Sequence, residues 1–103
     1  MSQVYDDLLR ANAAFYQAFA ARDLEALGDL WASESEVGVL HPGWPAVFGR
    51  GAVLESWRAI LEGPAPPEIT CGDARAFLVG SAGFVVCVEH LGDNLLVATN
   101  LFV

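Results

Sequence analysis

The sequence predicts a domain of the α+β class, because helical and strand-like patterns occupy different parts of the chain. Apolar residues recur at a spacing of three and four in the first third of the sequence, which is typical of amphipathic helices. A proline-rich stretch, 63–67, then breaks the helical pattern. Beyond it, apolar runs alternate with short glycine-containing turns, as in an antiparallel sheet. With 103 residues, the chain is expected to form a single domain, 1–103.

The helices are predicted from their apolar stripes and from the residues that cap them. The first helix runs from Gln3 to Ala21, and its stripe carries one polar residue, Asn12, among aromatic and aliphatic side chains. Asp23 is suited to cap a second helix, Leu24–Trp31. A third helix is expected over Ala52–Glu62, because the glycine and prolines that follow it cannot continue a helix.

Two short strands and three longer ones are predicted. Val37–Leu40 is a strand candidate, and Val47–Phe48 is placed to pair with it across a His-Pro-Gly-Trp-Pro loop. The three segments of the later sheet are Glu68–Val79, Phe84–Leu91 and Leu95–Val103.

The turns of this sheet determine which residues share a face. If Ser81-Ala82 and Asp93-Asn94 are two-residue hairpin loops, one face gathers mostly small residues around Glu89 and Asn100. The other face holds large apolar residues, with His90 opposite Asp73. Because two apolar faces need two covers, we expect the helices on the Glu89 face and a second subunit on the other.

Composition limits the classes of partner. The hydrophobic fraction of 54% indicates either a well-filled core or an apolar surface reserved for a partner chain. A formal charge of −8 disfavours nucleic acid and anionic membrane surfaces as partners. Neither a stretch of about 20 apolar residues nor a signal-peptide pattern is present, so a soluble, cytoplasmic protein is expected. Cys71 and Cys87 lie within predicted strands and are expected to be buried, reduced thiols.

Two residues are candidates for catalysis. Glu89 lies among small apolar residues, and burial of a carboxyl group suits it to general acid/base work. The alternative for Glu89 is a structural carboxylate that is hydrogen-bonded to Asn100 or to an indole N–H. His41 follows a strand and precedes a proline, so its ring is expected either at the mouth of a pocket or in a turn hydrogen bond.

Five further residues are candidates for ligand binding, because they bring rings and amides to the expected space between helices and sheet: Asn12, Phe15, Trp44, Trp57 and Asn100. The alternative is that the rings simply fill the core. The sequence has no metal-ligand spacing and no phosphate loop, so neither a metal nor a cofactor is expected.

The order and spacing of several segments resemble the SnoaL-like members of the nuclear-transport-factor-2-like superfamily. These segments are 19–27, 30–32, 41–44, 49–51, 56–60 and 98–102. The resemblance implies a cone-shaped, curved antiparallel sheet wrapped by three N-terminal helices, with a pocket inside and dimerisation through the sheet. The superfamily includes ketosteroid isomerase, dehydratases, cyclases, hydrolases and non-catalytic modules, so the fold does not determine the function.

The chain departs from the family in two respects. The family's sheet normally has a further strand after the one that ends here at Val103. We therefore expect the edge of Val97–Val103 to be closed by residues beyond Val103, by a partner's strand, or by the first strand moving inward. Ketosteroid isomerase also has an acidic base and a helix tyrosine at positions that correspond here to Val39 and Phe15, which disfavours that arrangement.

The resulting functional prediction is a small pocket domain that binds an apolar or aromatic small molecule and forms a homodimer. One alternative is a cofactor-independent isomerase, dehydratase, cyclase or hydrolase that uses Glu89. Another is a dimerisation module whose cavity is filled by side chains such as Trp44, Trp57 and Phe15.

Overall fold

The computed structural model describes residues 2–103 and confirms the α+β class. Its helices are α1 (Ser2–Ala20), α2 (Leu24–Asp29) and α3 (Arg50–Leu61). Its strands are β1 (Gly38–Val39), β2 (Val47–Phe48), β3 (Ile69–Val79), β4 (Ala82–Leu91) and β5 (Asn94–Phe102). No helix within 2–103 combines the length and apolarity needed to cross a bilayer.

Helix α1 contacts both the antiparallel sheet and the other helices. It lies across β3 and β4 of the sheet β3-β4-β5, and it also packs against α2. Gly83 on β4 permits a close approach, because a Cβ atom there would lie 2.6 Å from Cδ1 of Leu8 on α1. Helix α3 packs against α2 and against the β1–β2 ribbon. The sheet therefore presents one face to α1 and leaves the opposite face, called here the outer face, uncovered by helices.

The core lies where the three helices meet. It consists of Ala18, Phe19, Leu27, Val53, Trp57 and Leu61. The Trp57 ring is central to this core, since it makes edge contacts with Phe19 and Phe15 at centroid distances of 5.9 and 5.3 Å. Asp23 caps α2 as predicted, because its Oδ1 accepts a hydrogen bond of 3.0 Å from the Ala26 N–H.

The hairpin turns differ by one residue from the prediction. The loops are Gly80-Ser81 and Gly92-Asp93, since Val79 pairs with Ala82 and Leu91 pairs with Asn94. Gly80 and Gly92 have φ angles of 60° and 61°, which suits glycine at the first central position of a tight hairpin turn. Moving each turn by one residue moves the register by two, so the predicted grouping of residues by face is retained along β4 and β5.

A β-bulge changes the grouping on β3. The register shifts between Gly72 and Arg75, and Asp73 adopts a φ of 53°. His90 consequently pairs with Thr70, and the prediction that it faces Asp73 is wrong. Cys71 pairs with Glu89, so the bulge brings a second thiol onto the face that carries Glu89 and Cys87.

Of the three closures expected for the edge of the last strand, the first strand moving inward does not occur, while closure by residues beyond Val103 or by a partner's strand stays a prediction. Within residues 2–103, β1 pairs only with β2, and β5 pairs only with β4. The physical reason is length, because β1 has two residues and is held in its ribbon by α3. Strand β5 is thus an edge of the sheet in the described chain.

Candidate functional site

The site is built where one face of α1 meets the sheet. Asn12 and Tyr16 are four residues apart and therefore lie on the same face of the helix. Both are buried, with 1% and 7% of their surface exposed. Opposite them, Cys87 and Glu89 on β4 share the helix-facing side of the sheet, and Asn100 on β5 pairs with Val85.

A continuous hydrogen-bond network joins these side chains. The Asn100 amide donates to Oδ1 of Asn12 at 2.8 Å and to the Tyr16 hydroxyl at 3.1 Å. The Asn12 amide in turn donates to Sγ of Cys71 at 3.5 Å. The network fixes both amide orientations, because each nitrogen faces an acceptor.

The network ends at a carboxylate. The Tyr16 hydroxyl donates a hydrogen bond of 2.5 Å to Oε2 of Glu89. Since that donation uses the only hydroxyl proton of Tyr16, the Cys87 thiol, 3.4 Å away, is the donor in its contact with Tyr16. Tyr16 therefore accepts hydrogen bonds from Asn100 and Cys87 and donates its proton to Glu89, and hydrogen bonds linked in this way strengthen one another.

The second oxygen of Glu89 is available. Within residues 2–103, no group donates a hydrogen bond to Oε1. Oε1 is also not one of the fully buried polar atoms that lack a partner. The β5 residues on the same face, Leu96, Ala98 and Phe102, are half-buried, because α1 covers β3 and β4 rather than β5. The carboxylate is thus held through one oxygen, and it lies beside a partly exposed apolar surface formed by these three residues.

Burial controls the protonation of the neighbouring groups. Desolvation, with the hydrogen bonds to Cys87 and Glu89, raises the pKa of the Tyr16 phenol far above its usual range. Desolvation, with the neighbouring Cys87 thiol, likewise raises the pKa of Cys71 to about 12. Tyr16 therefore remains a hydrogen-bond donor at neutral pH, and Cys71 remains a thiol rather than a nucleophilic thiolate.

His41 belongs to a different cluster. Its Nε2 lies 2.8 Å from Oγ of Ser56, which donates its own proton to the Val53 carbonyl at 2.6 Å. His41 therefore donates to Ser56, and its ring carries the proton on Nε2. The imidazole is 7% exposed, and desolvation lowers its pKa, so a neutral ring is favoured. These contacts favour the turn-anchoring alternative for His41.

The aromatic candidates surround His41 rather than Glu89. The Trp57 and Trp44 rings lie edge-on to the imidazole, with centroids 4.6 and 5.0 Å away. Trp57 and Phe15 fill the space between the helices, while Trp44 is 43% exposed on its loop. The structure thus brings Glu89, Asn12 and Asn100 together and gathers His41, Trp44, Trp57 and Phe15 into a second group.

Surface depressions occur away from both groups. One, of about 550 Å³, lies beside Thr70 and His90, and another, of about 460 Å³, lies between 35–38 and 48–50. In the part of the chain that the structure describes, no group of three His, Cys, Asp or Glu residues is arranged to hold a metal ion.

Tyr16 is the residue of this cluster that sequence reasoning missed. The sequence analysis named Phe15 as a candidate, whereas the side chain that contacts Glu89 belongs to the next residue, Tyr16. Phe15 and Tyr16 are adjacent, with ring centroids 4.9 Å apart, and they face the helical core and the sheet respectively. The signal was available in the helical period, because Tyr16 follows the polar stripe residue Asn12 by four positions.

Comparisons with known proteins identify the family. The SnoaL-like domain family matches residues 8–103. The chain is similar to a proposed dehydratase of the nuclear-transport-factor-2-like family from Streptomyces avermitilis, with 31% identity and a TM-score of 0.83, over 97% of this chain and 84% of that one.

Two other solved structures support the same fold. A proposed calcium/calmodulin-dependent protein kinase type II association domain from Thiobacillus denitrificans shares 27% identity and a TM-score of 0.74, over 88% of this chain and 78% of that one. A proposed ketosteroid isomerase from Kribbella flavida shares 20% identity and a TM-score of 0.62, over 94% of this chain and 67% of that one. No curated protein matches the chain in sequence. The chain therefore belongs to the SnoaL-like family, within the nuclear-transport-factor-2-like superfamily.

Proposed function

We propose that this protein binds a small molecule with an apolar or aromatic body, and that Glu89 accepts a hydrogen bond from its polar group. The observation that carries the proposal is the hydrogen bonding of the two carboxylate oxygens. Oε2 is held by Tyr16 at 2.5 Å, while Oε1 has no side-chain partner in the described chain. A carboxylate fixed in this way is oriented before a ligand arrives, which lowers the entropic cost of binding.

The surroundings of Glu89 indicate the class of ligand. Leu96, Ala98 and Phe102 offer half-buried apolar surface on the same side of the sheet. The net charge of −8 disfavours anionic ligands, and Oε1 prefers a hydroxyl or N–H donor. The proposed ligand is therefore neutral, largely apolar and equipped with one donor.

A pair of matched probes tests this proposal. We expect 2-naphthol, which has a donor, to bind more tightly than 2-methoxynaphthalene, which has none. Glu89→Gln should weaken 2-naphthol binding by about tenfold or more, because a hydrogen bond to a charged group contributes roughly 1.5–3 kcal/mol. Glu55→Gln, an exposed change on α3, is the control and should leave the affinity unchanged. Equal affinities for both probes, or no effect of Glu89→Gln, would contradict the proposal.

A second candidate function is proton transfer at the same site. The unpartnered Oε1 of Glu89 and the 31% identity to a proposed dehydratase favour it. In a dehydration, Glu89 would take a proton from carbon while a hydroxyl group leaves, and would return that proton to form water. Assays with β-hydroxycarbonyl compounds test this function. If turnover is found, Glu89→Gln should lower it by roughly 10²–10⁴-fold, and unchanged turnover would exclude Glu89 as the base.

The proposed assembly is a homodimer through the outer face of the sheet. Phe77 and Phe84 stack there with centroids 4.9 Å apart, and Val86 and Val88 beside them are half-buried. Leu101 on the same face is 70% exposed. A contiguous apolar surface of this kind on a small domain supports burial against another chain.

A further inference from the structure

Two thiols lie side by side on the helix-facing side of the sheet. Cys87 is 1% exposed, and Cys71 is half-buried. If the register of residues 75–79 continued along β3, Cys71 would lie opposite His90, on the outer face. The bulge instead sets Cys71 opposite Glu89, and Cys87 lies two residues before Glu89 on the same face of β4. The bulge therefore makes the two cysteines diagonal neighbours on adjacent strands.

The two sulfur atoms belong to one hydrogen-bond network. The Asn12 amide donates to Sγ of Cys71 at 3.5 Å, and Sγ of Cys87 lies 3.4 Å from the Tyr16 hydroxyl. The pKa of Cys71 is raised first by burial and then by a hydrogen bond to Cys87, so the two thiols contact each other directly. Both are free thiols, and they are the two cysteines of the sequence. Neither takes part in the ligand contact proposed for Glu89, although both adjoin it.

We propose that Cys71 and Cys87 form a modification site, at which a hydroperoxide oxidises the two thiols to an intramolecular disulfide that alters the hydrogen bonding of Tyr16 and Glu89. Diagonal neighbours on one face of an antiparallel pair have side chains within reach of each other. The sulfur atoms must still approach to about 2.05 Å. Strand β3 can supply this movement at its bulge, where the ladder to β4 is interrupted.

Exposure determines the order of the two chemical steps. The thiolate of Cys71, the more exposed cysteine, attacks one oxygen of the hydroperoxide. The O–O bond breaks, Cys71 becomes a sulfenic acid, and an alcohol or water leaves with a proton from solvent. The Cys87 thiol then attacks the sulfur of the sulfenic acid, so that the S–S bond forms, the S–O bond breaks, and the hydroxyl group leaves as water with the Cys87 proton. The two thiols lose two electrons in total, and the hydroperoxide gains them.

The disulfide removes a hydrogen bond from the Glu89 site. Cys87 loses the proton that it donates to Tyr16, and its sulfur moves towards Cys71. Tyr16 then holds Glu89 less firmly, because linked hydrogen bonds strengthen one another. We expect the oxidised protein to bind 2-naphthol roughly two- to tenfold more weakly, which is the range for the loss of one neutral hydrogen bond. This effect rests on the proposed function, whereas the formation of the disulfide does not.

Peptide mapping after treatment with hydrogen peroxide tests for the disulfide. Trypsin cuts after Arg58 and Arg75, so the cysteines lie on separate peptides, 59–75 and 76–103. We expect the folded wild-type protein to yield these two peptides joined, to run as a single chain on a non-reducing gel, and to yield them separately after dithiothreitol. The rate should rise about tenfold for each pH unit from 7 to 9, because the thiolate fraction rises in that proportion below a pKa of about 12. Disulfides between chains only, or no joined peptides at any of these pH values, would overturn the proposal.

Single cysteine variants test the order of the steps. In Cys87→Ser, the sulfenic acid on Cys71 has no resolving thiol and should be trapped by dimedone. Labelling of Cys71→Ser should be at least about tenfold slower, because its remaining thiol is 1% exposed. Equal or faster labelling of Cys71→Ser would overturn the assignment of Cys71 as the attacking thiol. Peptide mapping of the wild-type protein remains decisive if either variant fails to fold.

Affinity measurements on the oxidised and reduced wild-type protein separate this proposal from the proposed function. Dithiothreitol should restore the affinity for 2-naphthol, which excludes damage to other residues as the cause of the loss. An unchanged affinity after complete disulfide formation would overturn the effect on the Glu89 site. If the reduced protein does not bind 2-naphthol, the proposed function fails, while the joined peptides still support the disulfide.

Discussion

Tyr16 connects helix α1 to the sheet through one hydroxyl group. That group donates to Glu89 at 2.5 Å and accepts from Asn100 at 3.1 Å, and it lies 3.4 Å from Sγ of Cys87. The Tyr16 hydroxyl oxygen thus accepts two hydrogen bonds and donates one to the carboxylate. The orientation of Glu89, and with it the proposed ligand contact, depends on this phenol.

Removing the hydroxyl tests this dependence. Tyr16→Phe should lower the free energy of unfolding by about 1–3 kcal/mol, because the Asn100 and Cys87 donors lose an acceptor in a buried setting. Tyr5→Phe alters a half-buried tyrosine on the same helix and should change stability by less than about 0.5 kcal/mol. Urea unfolding measures both. Equal effects of the two substitutions would mean that the phenol network adds no stability.

His41 makes stability depend on pH. Burial lowers the pKa of His41 in the folded protein below its ordinary value of 6.5. As the pH falls through 6.5, the unfolded chain binds a proton at this residue while the folded protein remains neutral there. The free energy of unfolding should therefore decrease on acidification, and this contribution should be constant above about pH 7.5.

Urea unfolding at pH 5.5, 6.5 and 7.5 measures this effect. His41→Gln should show a smaller loss of stability between pH 7.5 and 5.5 than the wild-type protein, although it is less stable overall. His90→Gln, which removes the exposed histidine on the outer face, is the matched control and should retain the wild-type pH dependence. Identical pH dependence in His41→Gln and wild type would contradict the assignment.

At the scale of elements, the hairpin turns determine the register of the sheet. Gly92 adopts a φ of 61°, which costs a residue with a Cβ atom roughly 1 kcal/mol. Gly92→Ala should therefore lower the free energy of unfolding by about 1 kcal/mol. Gly51→Ala should instead raise it by up to about 0.5 kcal/mol, because Gly51 is helical and an added Cβ meets nothing within 4 Å. Denaturant unfolding of both variants checks the opposite signs, and two effects of the same sign would contradict this account.

The helices and strands could be predicted because their period and composition are local signals. The grouping of Glu89, Cys87 and Asn100 was predicted as well, since an error of two residues in register keeps the alternation of faces. The bulge at Asp73 could not be predicted, because a non-glycine residue with a φ of 53° leaves no pattern in the sequence. Whether β1 pairs with β5 was left open among three alternatives, since strand pairing depends on tertiary packing rather than on local propensity.

At the scale of the whole molecule, the proposed homodimer depends on the outer face of the sheet. Val88→Asp places a charge on the central strand of that face, and an unpaired charge in an apolar interface costs several kcal/mol. We expect this variant to lose the outer-face dimer, as measured by light scattering. Val4→Asp makes the same chemical change at an exposed position on α1 and should leave the mass unchanged. An unchanged mass for Val88→Asp would remove the outer face as an interface.

The central claim is that a ligand is recognised beside Glu89, between α1 and β5, and not in either surface depression. The most direct measurement is an NMR titration of the labelled protein with 2-naphthol. Our account predicts the largest amide shift changes at Tyr16, Glu89, Ala98 and Asn100. Changes confined to residues 67–70 and 90–92, or to residues 35–38 and 48–50, would place the ligand in a surface depression and contradict the account.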